Sequence, residues 1–179
     1  MIRALPLRDK DKLLLRLVAK DGLLLEQLSY RHIEHSGTCE ERVAELRAYF
    51  AERLGGARQM TPKELLSQVR KASAYVTRHV RVTGDKLSEV ELLVDLLTRV
   101  LEVHMPRYRR GHGRRQDHIR RLGAYVAGRL GPLLRKAEKL HPDLHLEIGP
   151  GLDELLALAW STEEVRELLV SGEVPKHFT

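Results

Sequence analysis

Apolar residues recur along this chain at the three-to-four spacing of amphipathic helices, and strict alternation is nearly absent. Leu13, Leu17, Leu24 and Leu28 open the pattern, with Asp21-Gly22 as a break and Gly37 as an end. Thr38 to Glu41 has the form of a capping box, followed by the stripe Val43, Leu46, Phe50 and Leu54 up to Gly55-Gly56. Thr61-Pro62-Lys63-Glu64 combines an N-cap, proline at the first helical position and a carboxylate at the third. The helix it starts carries Leu65, Val69, Ala72, Val76 and Val80. Ser88 with Glu91 marks the next start, for a helix holding Leu93, Leu97, Val100 and Leu101.

Met105-Pro106 to Gly113 interrupts the pattern. It resumes near Arg114 with Ile119, Leu122, Val126 and Leu130, and Gly131-Pro132 is expected to kink or restart that helix. Leu144, Leu146 and Ile148 alternate, which predicts a short extended segment near 144–148. Gly149-Pro150-Gly151 reads as a boundary, followed by a short helix to Trp160 and a last one capped by Ser161 and Glu164. The expectation is an all-α protein, a compact multi-helix bundle of about six to eight helices. Its division would be a helical core domain over 1–148, containing a basic segment at 103–137, and an acidic helical extension over 149–179.

Composition supports a packed helical core: 42% of the 179 residues are hydrophobic and only 4% aromatic, so Leu, Val and Ala must fill it. The apolar runs are far too short to span a membrane, and the N-terminal charges leave no room for the apolar stretch of a signal peptide. With Cys39 as the single cysteine no intrachain disulfide can form, and a cytoplasmic, reducing location is the expectation. The absence of Asn and the abundance of Arg and Glu fit a heat-adapted protein.

The net charge of +6 is unevenly spread. Residues 1–57 carry ten cations against nine acids, residues 58–137 eighteen against seven, and residues 138–179 three against nine. Within 103–137 stand Arg107, Arg109, Arg110, Arg114, Arg115, Arg120, Arg121, Arg129, Arg135 and Lys136, opposed by Asp117 alone. A guanidinium grips two phosphate oxygens in one planar fork. Gly111 and Gly113 let the backbone approach a partner closely, and the following helix N-terminus favours an anion. These features predict contact with a nucleic-acid backbone, DNA or RNA, with weak sequence selectivity. Arg107, Arg109, Arg110, Arg114, Arg115, Arg120 and Arg121 are the expected binding residues.

Two other classes stay open. A helical adaptor or assembly subunit would present the same cations to an acidic protein. The acidic C-terminal region would then serve a protein partner or a homo-oligomer. A second alternative arises from Arg99/His104, Arg107/His112 and Arg135/His141, each an Arg followed by His after a short gap. That spacing resembles the motif of the HEPN ribonucleases, and the resemblance implies an Arg holding the scissile phosphate beside a His in proton transfer. It ranks behind the other readings because a chain this rich in Arg and His generates such spacings freely. The histidine groups His32/His35, His141/His145 and His104/His112/His118 do not form a convincing ligand set. Pro142 divides one pair and arginines surround the third group, so neither metal nor cofactor is expected. Cys39, inside a capping box, is expected to be half-buried and inert. Nothing in the chain has the arrangement of a catalytic nucleophile or carboxylate pair.

Overall fold

The computed structural model of the chain describes residues 6–33, 38–56, 59–108 and 114–178, with Thr38 and Arg114 described by backbone alone. Among them, eight α-helices follow in order and no strand occurs. They are α1 (Leu7–Val18), α2 (Gly22–His32), α3 (Thr38–Leu54), α4 (Pro62–Thr83), α5 (Lys86–Arg99), α6 (Arg114–Ala137), α7 (Pro142–Ser161) and α8 (Glu163–Ser171). A π turn, Val100–His104, and a 3-10 turn, Met105–Tyr108, extend α5 toward the segment at 109–113. No helix among the described residues is long and apolar enough to cross a membrane.

Local chemistry explains the starts. Thr61 caps α4 by accepting from the Glu64 amide at 3.3 Å while the Glu64 carboxylate accepts from the Thr61 amide at 2.8 Å. Gly84, at φ 77°, ends the same helix in the left-handed region where a side chain is disfavoured. Asp21 caps α2 as the expected break requires. Two expected starts need correction. The cap of α5 is Asp85, whose Oδ1 accepts from the Leu87 and Ser88 amides at 3.0 and 3.1 Å, and Ser88 is a buried residue of the first turn. The residue before α8 is Thr162, not Ser161, and its hydroxyl turns back to the Leu158 carbonyl. The capping box at Thr38 lies outside the described side chains.

The extended segment expected near 144–148 is helix, and the break expected at Gly149-Pro150-Gly151 does not occur. Both stretches belong to α7, so the division at 148/149 falls in the middle of one helix. Ile148, Leu152, Leu155, Leu156 and Ala159 form its buried stripe, and this three-to-four spacing outweighs the alternation of Leu144, Leu146 and Ile148. Pro150 leaves the carbonyl four residues back without its amide. That carbonyl belongs to Leu146, which is 85% exposed, so water can satisfy it. Pro132 is accommodated inside α6 in the same way, on the exposed face it shares with Gly128 one turn earlier.

The core joins α3 to α8. Phe50, Leu54, Leu65, Val69, Val76, Leu92, Leu96 and Leu97 meet Ile119, Leu122, Val126, Leu130, Leu152, Leu155 and Val165, all essentially inaccessible. Helix α6 is central to the C-terminal half, touching α4, α5, α7 and α8. Its contact with α8 needs Gly123, where a Cβ would stand 2.8 Å from the Glu164 carbonyl oxygen. The first helices differ from expectation. Neither α1 nor α2 buries a residue: α2 packs on α4 and α1 on α2, leaving Leu14, Leu15 and Leu17 exposed.

Candidate nucleic-acid interface

Helices α4 and α6 pack side by side, burying Leu65, Val69 and Val76 against Ile119, Leu122 and Val126. The polar flank of each helix beside that seam carries cations at helical spacing. On α4 these are Lys63, Arg70 and Lys71, in line with Ser67 and Ala74; on α6 they are Arg115 and Arg121 around His118. The chain end of the 3-10 turn adds Arg107. Together they line three depressions, the middle one sharing Gln59, Met60 and Arg115 with one neighbour and Lys63 and His118 with the other, so that they form one groove along the α4–α6 seam. Among the described residues no acidic side chain lines it.

Several of these side chains are held in place. The Arg107 Nη1 donates to the Gly56 carbonyl at 2.7 Å, leaving most of the fork free. The Arg115 guanidinium lies 5.9 Å from the centre of the Tyr108 ring, and the Tyr108 hydroxyl donates to the Met60 carbonyl at 2.8 Å. Burial pushes the Tyr108 hydroxyl above its ordinary pKa, so the ring stays neutral. Tyr125 plays the same part further along: Arg70 and Arg129 sit over it at 5.7 and 5.1 Å, and its hydroxyl donates to Ser73 Oγ at 2.8 Å. Each such cation–π contact contributes about 0.5–1 kcal/mol at an exposed site. Its larger consequence is to orient the guanidinium before a ligand arrives. The tyrosines act here as mounts for arginine rather than as open stacking platforms.

The sequence-predicted residues divide into three groups. Arg107, Arg115 and Arg121 come together in the groove. Arg120, one position from Arg121, points to the other side of α6. It lines a separate depression with Glu163, Glu164 and Glu167 of α8, and so stands apart from the groove. Arg109 and Arg110, and the side chain of Arg114, lie outside what the structure describes. Lys136 pairs with Glu89, and Arg135 is exposed at the far end of α6. Lys63, Arg70 and Lys71 were not expected from the sequence. Their spacing of seven and eight residues on one helix face was the available signal, but only the packing of α4 on α6 gives that face a meaning.

Among the described residues none of the six groove cations is paired with a carboxylate. Elsewhere the protein neutralises its arginines: Glu26 holds Arg42 and Arg78 at 2.9 and 2.7 Å, Glu91 holds Arg47, and Asp95 holds Arg99. Burial raises the Glu26 carboxyl, but its two arginines outweigh that and keep it below its ordinary pKa.

Of the three Arg–His spacings, Arg99/His104 is split. Arg99 is bound to Asp95, while His104 is 1% exposed with Nε2 at 2.9 Å from the Leu54 carbonyl. Burial depresses the His104 pKa, only partly offset by that carbonyl, so the ring is a neutral donor that ties the π turn to the end of α3. Arg107 is bound to Gly56, and His112 lies outside the described residues. Arg135 lies in the last turn of α6 and His141 is the extended cap before α7, its Nδ1 accepting from the Asp143 amide. Comparison of the chain with protein-family models, with curated proteins and with solved structures finds no match in any of the three.

Proposed function

We propose that this protein binds the phosphate backbone of a nucleic acid in the groove between α4 and α6. The supporting observation is the convergence of Lys63, Arg70, Lys71, Arg107, Arg115 and Arg121 from three chain segments on a groove with no acid among its described lining residues. Surfaces that serve solubility alone mix signs, as the flanks of α3 and α5 do here. Concentrating like charge on one seam costs self-repulsion in the free protein, which a polyanion relieves.

From Lys63 to Lys71 the helix axis advances about 12 Å, equivalent to roughly three to four nucleotide rises of one strand. The groove therefore tracks a short length of backbone. Its cations address phosphates, and its tyrosines are occupied by arginines and neighbouring oxygens, so selectivity among bases should be weak.

The test is a titration of duplex DNA, single-stranded DNA and single-stranded RNA against the wild-type chain and an Arg107→Ala/Arg115→Ala/Arg121→Ala variant. The expected result is binding that weakens with salt in the wild type and is reduced in the variant by tenfold or more. Equal affinity of the two proteins would remove the proposal. A poly-glutamate peptide competing as well as nucleic acid at matched charge would favour an acidic protein as the partner instead. RNA cleavage abolished by His104→Ala, with the fold intact, would favour the ribonuclease reading.

A further inference from the structure

A second cluster lies at the opposite end of α4, where α2, α3, α4 and α5 meet. It is 16 residues beyond Lys63, about 24 Å along the helix axis, and shares no residue with the groove. Cys39 comes from the first turn of α3, His79 from the last turns of α4, and Asp85 from the cap of α5. One potential ligand atom from each, sulfur, nitrogen and oxygen, falls within 4.8 Å of the other two. The geometry points to a transition-metal site of the kind zinc occupies, with Cys39, His79 and Asp85 as its three protein ligands.

Three observations carry this. First, the separation of Cys39 Sγ from Asp85 Oδ2 is 3.4 Å. Ligands at about 2.3 Å (sulfur) and 2.0 Å (oxygen) from a tetrahedral zinc stand about 3.5 Å apart, so this pair already has the required spacing. Second, His79 is 5% exposed, and its Nδ1 is buried without a hydrogen-bond partner. A buried ring nitrogen left unsatisfied costs free energy that a metal ion would recover. Its Nε2 lies 2.9 Å from Ser88 Oγ. The Ser88 hydroxyl donates onward to the Asp85 carbonyl at 3.4 Å and so accepts from Nε2, which leaves the lone pair on Nδ1, the arrangement of a ligating histidine braced by an outer partner. Third, the two oxygens of Asp85 are divided in task. Oδ1 takes the Leu87 and Ser88 amides and fixes the carboxylate, while Oδ2 accepts from the Cys39 thiol.

A mixed sulfur, nitrogen and oxygen set suits Zn²⁺ over the hard cations Mg²⁺ and Ca²⁺, which prefer oxygen throughout. Two anionic ligands, thiolate and carboxylate, balance the ion's charge, and the thiol proton leaves to solvent on binding. Water can take the fourth position of a site with three protein ligands. Arg42, the nearest cation, has its charge taken up by Glu26 at 2.9 Å. Loading the site would clamp α3 to the α4–α5 turn.

The experiment uses the full chain, without a polyhistidine tag and stripped by chelator, titrated with Co²⁺ as a spectroscopic probe and then with Zn²⁺. The expected result is one Co²⁺ per chain, a near-ultraviolet sulfur-to-cobalt charge-transfer band, the strong visible bands of tetrahedral coordination, and displacement by Zn²⁺. Cys39→Ser should abolish the charge-transfer band and weaken binding by about 100-fold or more, and Ser88→Ala should weaken it by about tenfold. Asp85→Asn keeps a capping side chain and should weaken binding as Cys39→Ser does. Far-UV circular dichroism of the metal-free variants shows that they fold. The proposal is overturned by the lack of a charge-transfer band in the wild type. It is equally overturned by unchanged affinity in both ligand variants, which would place the cation on exposed pairs such as His141 with Asp143 or His177 with Asp153.

Discussion

Replacing Lys63, Arg70 and Lys71 together by glutamine removes half of the six groove cations while leaving every Arg of the basic segment in place. If each cation neutralises one phosphate, the wild type should show a log–log salt slope of about −5 on duplex DNA and about −4 on a single strand. The triple variant should retain about half of that. Between roughly 50 and 200 mM salt the wild type would then lose about 10³ in duplex affinity, and the variant only about 40-fold. Fluorescence anisotropy of a labelled oligonucleotide across a potassium chloride series measures both slopes. A matched variant, Arg16→Gln/Lys20→Gln/Lys86→Gln, removes as much charge from outside the groove and should leave the slope near that of the wild type. The reasoning fails if the two triple variants lower the slope equally, because binding would then follow net charge rather than the α4–α6 seam. It also fails if the α4 variant keeps the wild-type slope, since those three side chains would then touch no phosphate.

Further outcomes follow from the packing. Leu122→Ala, at a fully buried position of α6, should cost about 2–5 kcal/mol in urea unfolding, whereas Leu15→Ala, 70% exposed on α1, should stay within about 0.5 kcal/mol. Gly123→Ala should lower stability by about 1–3 kcal/mol, despite alanine's better helix propensity. The new methyl meets the Glu164 backbone, so thermal melting should show a lower midpoint than wild type. Thr61→Ala removes one half of a capping box and should cost about 1 kcal/mol by the same denaturant assay. His104 has a folded pKa below its ordinary 6.5, so below that pH the unfolded chain binds a proton that the folded chain refuses. Its contribution is therefore full above about pH 6.5 and shrinks as pH falls toward the folded value. A His104→Gln variant should show a flatter loss of stability between neutral and mildly acidic pH than the wild type.

Much of the scaffold was legible in the chain because helix formation depends on near neighbours. The stripe Ile119, Leu122, Val126 and Leu130 and the box at Thr61 state their structure within a few residues, and both are found as expected. The errors have the same physical origin. Gly149-Pro150-Gly151 is a breaker by local rule, yet the burial of Ile148 and Leu152 on either side holds it helical, since packing outweighs propensity. Leu14, Leu15 and Leu17 belong to a leucine-rich helix, but α1 rests on α2 and leaves them exposed.

The sequence by itself determined an all-α chain with an excess of positive charge in its middle, since periodicity and net charge are sums over local residues. Only the tertiary structure decided which charges act together. It separated Arg120 from Arg121 across α6, joined Lys63, Arg70 and Lys71 to Arg121, and brought Cys39 within reach of Asp85. Coulomb interactions and ligand geometry depend on distance in space. Distance along the chain fixes that only within a single helix, and the relations that matter here cross from one helix to the next.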